Sequence, residues 1–258
     1  MTILIGLIGF IFGITIGSFC NVVIRRGARG KTYGGRSRCE SCNTQLSPQE
    51  LIPIVSFLFQ KGRCRTCGTA LSWQYPFVEA FTGITYGVTA MYILTAWSPG
   101  NLTTLILLYF LFAASIVILV SDISYHIIPN GAVVIFFIVA LFTRLPLFTE
   151  MLWERIWIDA AAAIGIGGFF AALWFFSKGR WMGFGDAKLA TATSFLVGFP
   201  ASITALLMSF WIGGGVGIIL LLTRRKTLAD RIPFGPYILL GTAIAYFFPN
   251  VIISLFDI

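Results

Sequence analysis

Charge is what this chain lacks most. Charged residues fill 11% of its 258 positions, against about 25% in an ordinary soluble domain. Hydrophobic residues make up 57%, and the mean hydropathy is +0.89. Those values, with several long apolar runs, exclude a soluble globular domain and point to a polytopic membrane protein. Acidic residues are scarcer than basic ones, 10 against 18. A basic balance can signal nucleic acid, but in a membrane protein it more often marks cytoplasmic loops. A basic segment ahead of the first apolar run is also missing: Arg25 and Arg26 follow the run instead. That order is the reverse of a cleavable signal peptide, so the first helix is expected to be retained with its amino terminus outside. Histidine occurs once, as His126, and a lone loop imidazole carries no site. No internal repeat or low-complexity tract stands out.

A transmembrane helix needs about 20 mainly apolar residues. By that measure the spans fall at 3–24, 77–97, 102–121, 128–148, 157–177, 187–200, 202–222 and 234–254. The expected fold is an all-α polytopic membrane protein of about eight transmembrane helices. The sixth span is short and carries Thr191, Thr193 and Ser194; it meets the seventh at Pro200, a plausible turn. With the amino terminus outside, loops 25–76, 122–127, 178–186 and 223–233 lie in the cytoplasm. Those loops and their borders hold every Lys and Arg except Arg144 and Arg155, 16 of the 18. The positive charge is therefore topological, expected to face lipid headgroups and not nucleic acid. Loop 25–76 is polar and reads as a small cytoplasmic domain inserted between the first two helices. The chain thus divides into 1–24, a first membrane helix, 25–76, the insert, and 77–258, seven membrane helices.

The insert contains Cys39-Glu40-Ser41-Cys42 and Cys64-Arg65-Thr66-Cys67, two C-x2-C pairs separated by 21 residues. That spacing suits a four-thiolate tetrahedral zinc site. Two disulfides or four free thiols are the alternatives, and a reducing cytoplasm argues against disulfides. About fifty residues bury little core, so the metal is expected to be structural, supplying folding energy, with all four positions filled by protein. Cys20, inside the first span, reads as a small apolar filler.

Two acids sit at span ends. Asp122 closes the third span in Val120-Ser121-Asp122-Ile123-Ser124, and Asp186 opens the sixth in Met182-Gly183-Phe184-Gly185-Asp186. Topology brings both to the cytoplasmic depth although they are 64 residues apart. An acid at a membrane boundary is costly unless it is paired or functional. Two carboxylates sharing a site split their protonation, one polarising a water and the other donating to a carbonyl, which is aspartic peptidase chemistry. Gly183 and Gly185 leave room for a substrate backbone, and Pro129 ends helicity after Asp122. A bland reading also exists, in which Asp186 simply caps the sixth span. Asp159 stands four residues from Arg155 and reads as a local ion pair. Glu79, in Tyr75-Pro76-Phe77-Val78-Glu79, either complements a helix dipole or has a functional role.

With these residues in view, the chain resembles the bacterial prepilin peptidases, the type 4 prepilin-like leader peptidases. The likeness runs through Gly17-Ser18-Phe19-Cys20-Asn21-Val22-Val23-Ile24-Arg25-Arg26, Gly35-Arg36-Ser37-Arg38-Cys39 and Gly62-Arg63-Cys64 with Cys67. It continues through Tyr75 to Glu79, Asp122 followed by Ile128-Pro129-Asn130, the G-x-G-D of 183–186, and Pro233-Phe234-Gly235-Pro236. The resemblance implies a bifunctional enzyme of the bacterial inner membrane with its active site facing the cytoplasm. Such an enzyme removes the basic leader of type IV prepilins or pseudopilins after a glycine, then methylates the new amino terminus with S-adenosylmethionine. It implies that Asp122 and Asp186 are the catalytic pair, that Cys39, Cys42, Cys64 and Cys67 hold zinc, and that the insert is tied to methylation. The family commonly has a tryptophan-containing segment after the first cysteine pair, where this chain reads Leu46-Ser47-Pro48-Gln49-Glu50-Leu51-Ile52-Pro53. No Gly-rich cofactor loop is recognisable, so no S-adenosylmethionine contacts are assigned. Two rivals stand beside this reading: a leader peptidase without methyl transfer, and a transporter using the two aspartates as an ion site. A purely structural scaffold leaves the glycine-flanked acids unexplained.

Overall fold

The computed structural model describes residues 1–94, 99–144, 153–225, 227, 230 and 232–248. Apart from two isolated β-bridges, its regular structure is helical. In chain order the elements are α1 (Thr2–Ala28), a 3-10 turn (Pro48–Leu51), α2 (Val55–Phe59), α3 (Gln74–Leu94), α4 (Pro99–Tyr125) and α5 (Asn130–Arg144). Then come α6 (Trp153–Ser177), α7 (Phe184–Val197), α8 (Ala201–Leu222) and α9 (Gly235–Phe247). Each expected span contains one long helix, while the 3-10 turn and α2 belong to the insert. Helices α1, α3, α4, α6 and α8 are long and apolar enough to cross a membrane; α5 and α9 are apolar but shorter. The chain is a multi-pass membrane protein. The C-terminal ends of the second, fourth and eighth expected spans, with Lys226 and Arg231, lie outside the described residues.

Residues 1–117 and 118–258 form two compact units. In the first, α1 and α3 pack antiparallel along a stripe of small residues. A Cβ on Gly13 would stand 2.8 Å from the Gly83 Cα and the Thr82 carbonyl oxygen, and one on Gly17 2.8 Å from the Glu79 Cα. Such backbone-to-backbone approach is how helices associate where lipid is as apolar as the side chains. The outward face of α1, with Ile3, Leu7, Ile8 and Ile11, is exposed and suits acyl chains. Tyr86 of α3 stacks on Tyr109 of α4 at 3.9 Å, and each hydroxyl donates to the other residue's carbonyl. The Cys20 thiol is buried against Ala113.

The second unit is built around α7, which packs against α5, α6, α8 and α9. Nine of its 14 residues are buried. This explains why the shortest expected span is also the most polar: its neighbours are protein, so it needs small residues instead of bulk hydrophobicity. The hydroxyls of Thr191 and Thr193 bond carbonyls of their own helix. Gly198 caps α7 with φ 72°, and α8 starts at Ala201, so the turn at Pro200 is present.

Two details shift. Helix α1 runs on to Ala28 and α3 starts at Gln74, so the non-helical boundaries of the insert tighten to 29–73, with Arg25 and Arg26 still helical. Asp159 is buried, and its Oδ1 accepts the backbone N–H of Phe199 at 2.7 Å. One of its partners is thus the loop between α7 and α8, a contact that local i, i+4 spacing cannot reveal.

Candidate active site and candidate metal centre

In the second unit, Asp122 lies in the last turn of α4 and Asp186 in the first turn of α7, at 5% and 6% exposure. Each carboxylate is tied to backbone at a helix start. Gly235, the first residue of α9, donates its N–H to Asp122 Oδ2 at 2.9 Å. Gly183 donates its N–H to Asp186 Oδ2 at 3.0 Å. Gly183 has no side chain, so only the Asp186 half of a capping box exists. Unpaired N–H groups and the helix dipole make a helix start a favourable place for negative charge. The capping reading of Asp186 is therefore correct, but capping uses one oxygen and leaves the other.

Ile128 ties the two acidic stretches together. A Cβ on Gly185 would stand 3.0 Å from the Ile128 Cβ, and one on Gly235 3.4 Å from its Cδ1 and 2.8 Å from Asp122 Oδ2. The glycines before Asp186 and at the start of α9 thus converge on the bend that follows Asp122. The bend forms as Pro129 requires: α4 stops at Tyr125, His126 takes φ 53°, and Pro129 offers its carbonyl to the first turn of α5. Lys188 of α7 donates to Asn130 Oδ1 at 3.0 Å, fastening the start of α5. Two buried carboxylates thus sit on stretches that pack against one residue, Ile128.

In the first unit, the sulfurs of Cys39, Cys42, Cys64 and Cys67 all lie within 4.8 Å of one another. Cys39 Sγ and Cys67 Sγ are 3.8 Å apart. Zinc–sulfur bonds of about 2.3 Å in a tetrahedron put sulfurs about 3.8 Å from one another. The donor set therefore fits such an ion, and it could hold a metal. Two knuckles build the site, and they are a repeat that simple inspection of the sequence overlooks. Arg38-Cys39-Glu40-Ser41-Cys42-Asn43-Thr44-Gln45-Leu46-Ser47 aligns with Arg63-Cys64-Arg65-Thr66-Cys67-Gly68-Thr69-Ala70-Leu71-Ser72.

Each hydrogen bond recurs. Cys39 N–H donates to the Thr44 carbonyl as Cys64 does to Thr69, and Asn43 donates to Cys39 as Gly68 does to Cys64. Asn43 and Gly68 both have positive φ, and each repeat closes with a bridge, Arg38 with Gln45 and Arg63 with Ala70. The first cysteine of each pair is buried. The second lies 3.3 Å from a threonine hydroxyl, Thr44 or Thr69. That hydroxyl and the backbone at Thr69 bring the Cys67 thiol down to about 6, and Thr44 lowers Cys42 likewise. Both favour the thiolate a metal needs.

Helix ends anchor the insert. Glu40, inside the first knuckle, pairs with Arg25 and, at 3.0 Å, with Arg29. Arg26 donates to the carbonyls of Tyr33, Gly34, Gly35 and Arg36. The sequence left Glu79 between helix-dipole complementarity and a functional role and gave Asn21 no role of its own; both are buried where α1 and α3 cross.

Comparison with known proteins bears on both halves. Residues 11–93 match the family described as Bacterial Peptidase A24 N-terminal domain, and residues 106–218 the Type IV leader peptidase family. The chain is 32% identical to the prepilin leader peptidase/N-methyltransferase of Bacillus subtilis, covering 96% of each chain. It is 30% identical to the protein of that name from Aeromonas salmonicida, over 92% of this chain and 88% of the relative. The Pseudomonas aeruginosa protein of that name is 27% identical over 91% and 87%. No solved structure matches.

Proposed function

Because the chain belongs to the type IV leader peptidase family, we propose that it cuts the basic leader from type IV prepilins or pseudopilins after a glycine, with Asp122 and Asp186 as its catalytic pair. It then methylates the exposed amine with S-adenosylmethionine. The observation that carries the reading is the anchoring of both buried carboxylates, Asp122 on Gly235 and Asp186 on Gly183, around one Ile128 bend.

One carboxylate is ionised and takes a proton from water as the water oxygen attacks the scissile carbonyl. The other is a carboxylic acid and hydrogen-bonds the carbonyl oxygen as negative charge develops there. Collapse of the tetrahedral species breaks the C–N bond, and the departing amine takes a proton. Backbone N–H groups at Gly235 and Gly183 keep each carboxylate oriented through both steps. The bend at Ile128 and the bare glycines give an extended substrate backbone a way in.

The four thiolates hold zinc in this reading, and the ion keeps the two knuckles folded. The basic loops face the cytoplasm of a bacterial inner membrane, which puts the pair at the depth of a prepilin's leader junction. Methylation belongs to the first unit and peptide hydrolysis to the second.

The test is reconstituted protein mixed with a prepilin. Wild type releases the leader, while Asp122→Asn and Asp186→Asn lose about 10²–10⁴-fold in rate. Normal cleavage by either variant refutes the pair. Added S-adenosylmethionine raises the mass of the cleaved pilin by about 14 Da; cleavage without that gain leaves a leader peptidase alone.

A further inference from the structure

Two stretches remain unused by the carboxylate pair and the thiolates: Gly17 to Arg26 at the end of α1, and Tyr75 to Glu79 at the start of α3. They meet in the first unit. Glu79 is the one buried carboxylate among the described residues of 1–117. Its Oε2 accepts the N–H of Ile54 at 2.7 Å. A carboxylate has about four acceptor positions, so capacity remains.

One turn along the same crossing lies Asn21, at 1% exposure. Its Nδ2 donates to the Tyr75 carbonyl at 3.2 Å, and its Oδ1 is buried with no hydrogen-bond partner among the described residues. Buried acceptors are almost always satisfied, so an orphan marks where a donor belongs. Arg25, one turn further, lies 4.8 Å above the Tyr75 ring and reaches Glu40 in the first knuckle.

The loop over this junction is strained. Val55 donates to the Pro53 carbonyl at 2.6 Å across Ile54, whose φ and ψ are 63° and −52°. This is the rare, positive-φ form of the γ-turn, here on a β-branched residue. Glu79 takes the N–H that this conformation turns inward. Local strain held by a buried acid is characteristic of functional sites.

We propose that this junction is the methyl-transfer site, where Glu79 and Asn21 Oδ1 receive the new amino terminus of the cleaved pilin. The proposal rests on the methyltransferase reading above. An ammonium has no lone pair and cannot attack a methyl group. Glu79 takes one proton from it and becomes a carboxylic acid. The freed lone pair then attacks the methyl carbon of a sulfonium donor. The C–N bond forms as the C–S bond breaks with its electron pair passing to sulfur, leaving a thioether and a secondary ammonium. Asn21 Oδ1 accepts a remaining N–H and aims the lone pair. A purely structural clamp has no use for the unpaired oxygen of Asn21. The buried acids among the described residues of the second unit serve other ends: Asp122 and Asp186 the peptidase, while Asp159 accepts the Phe199 N–H.

The experiment compares wild type, Glu79→Gln and Asn21→Leu in lipid, reading leader release, metal content, methyl addition and peptide binding. The binding probe is a synthetic peptide of the mature pilin amino terminus, with its amine free or acetylated. Glu79→Gln keeps the shape and the Ile54 contact but loses basicity. The expected result is leader release within about twofold, unchanged metal, and methyl addition down about 100-fold. Both variants also lose the preference for the free amine. Methyl addition at the wild-type rate by Glu79→Gln overturns the site alone. Joint loss of leader release, metal and methylation in both variants overturns it in favour of a structural clamp. A wild-type enzyme that cleaves but never methylates overturns the methyltransferase reading and this site with it.

Discussion

Asp122 takes the backbone N–H of Gly235 at 2.9 Å across 113 residues of chain, joining the end of α4 to the start of α9. The contact needs a bare α-carbon, because a Cβ there would stand 2.8 Å from the carboxylate oxygen itself. Gly235→Ala must push the carboxylate aside or tilt the helix. Overpacking of this kind costs about 1–3 kcal/mol. Spent on orientation, that is roughly a 10–100-fold fall in leader release. Gly185→Ala meets only the Ile128 side chain, at 3.0 Å, and loses less. Leader-release rates that rank the two in the opposite order contradict this geometry.

The cysteine site predicts a metal-dependent insert. Structural zinc supplies about 10–16 kcal/mol to domains that cannot fold without it, and residues 29–73 have little core of their own. Among their described hydrophobic residues only Cys39, Phe57 and Cys64 are buried. Cys39→Ser, or a strong chelator, should release the metal and open the insert to protease. Helices of the second unit should survive, and leader release should fall less than methyl addition. Zinc content unchanged in Cys39→Ser removes the assignment.

The close approach of α1 and α3 gives a paired stability prediction. Gly13→Val forces a Cβ into the Gly83 and Thr82 backbone, where nothing yields, and should cost about 1–3 kcal/mol. Gly165 and Gly168 of α6 have open space around them. Their alanine variants should be neutral or gain up to about 1 kcal/mol from helix propensity. Thermal midpoints in one detergent decide; equal effects from all three would mean the stripe is not a contact.

Much of this was legible because membranes impose coarse rules. Each apolar run holds a helix among the described residues, and C-x2-C spacing located the four thiols that come together. Asp122 and Asp186 drew attention by their cost in a membrane, and Asp186 also by its glycines. What escaped has a shared cause: contacts made by backbone atoms leave little trace in side-chain patterns. The N–H of Gly235, the N–H of Ile54 and that of Phe199 choose Asp122, Glu79 and Asp159 as partners. The knuckle repeat escaped because only its cysteines, Arg, Thr, Leu and Ser recur, while the shared hydrogen bonds belong to the main chain. The reach of α1 to Ala28 escaped because hydropathy ends at Arg25, whereas backbone hydrogen bonding does not.

Helix α7 supports the last prediction. Its weak hydropathy follows from a location among α5, α6, α8 and α9, so it should respond as a protein core responds and not as a lipid-facing helix does. Ala190 is 2% exposed, and Ala190→Leu adds three carbons at a buried position, costing about 1–3 kcal/mol. The change should also disturb Asp186, one turn before it, and slow leader release. Ile219 of α8 is 60% exposed, and Ile219→Leu should do neither, since acyl chains accept either shape. Thr193→Val removes a hydroxyl that bonds only its own helix carbonyls and should stay within about 1 kcal/mol. The check is thermal midpoint and leader release for the three variants side by side. Tolerance of Ala190→Leu would mean that α7 faces lipid after all.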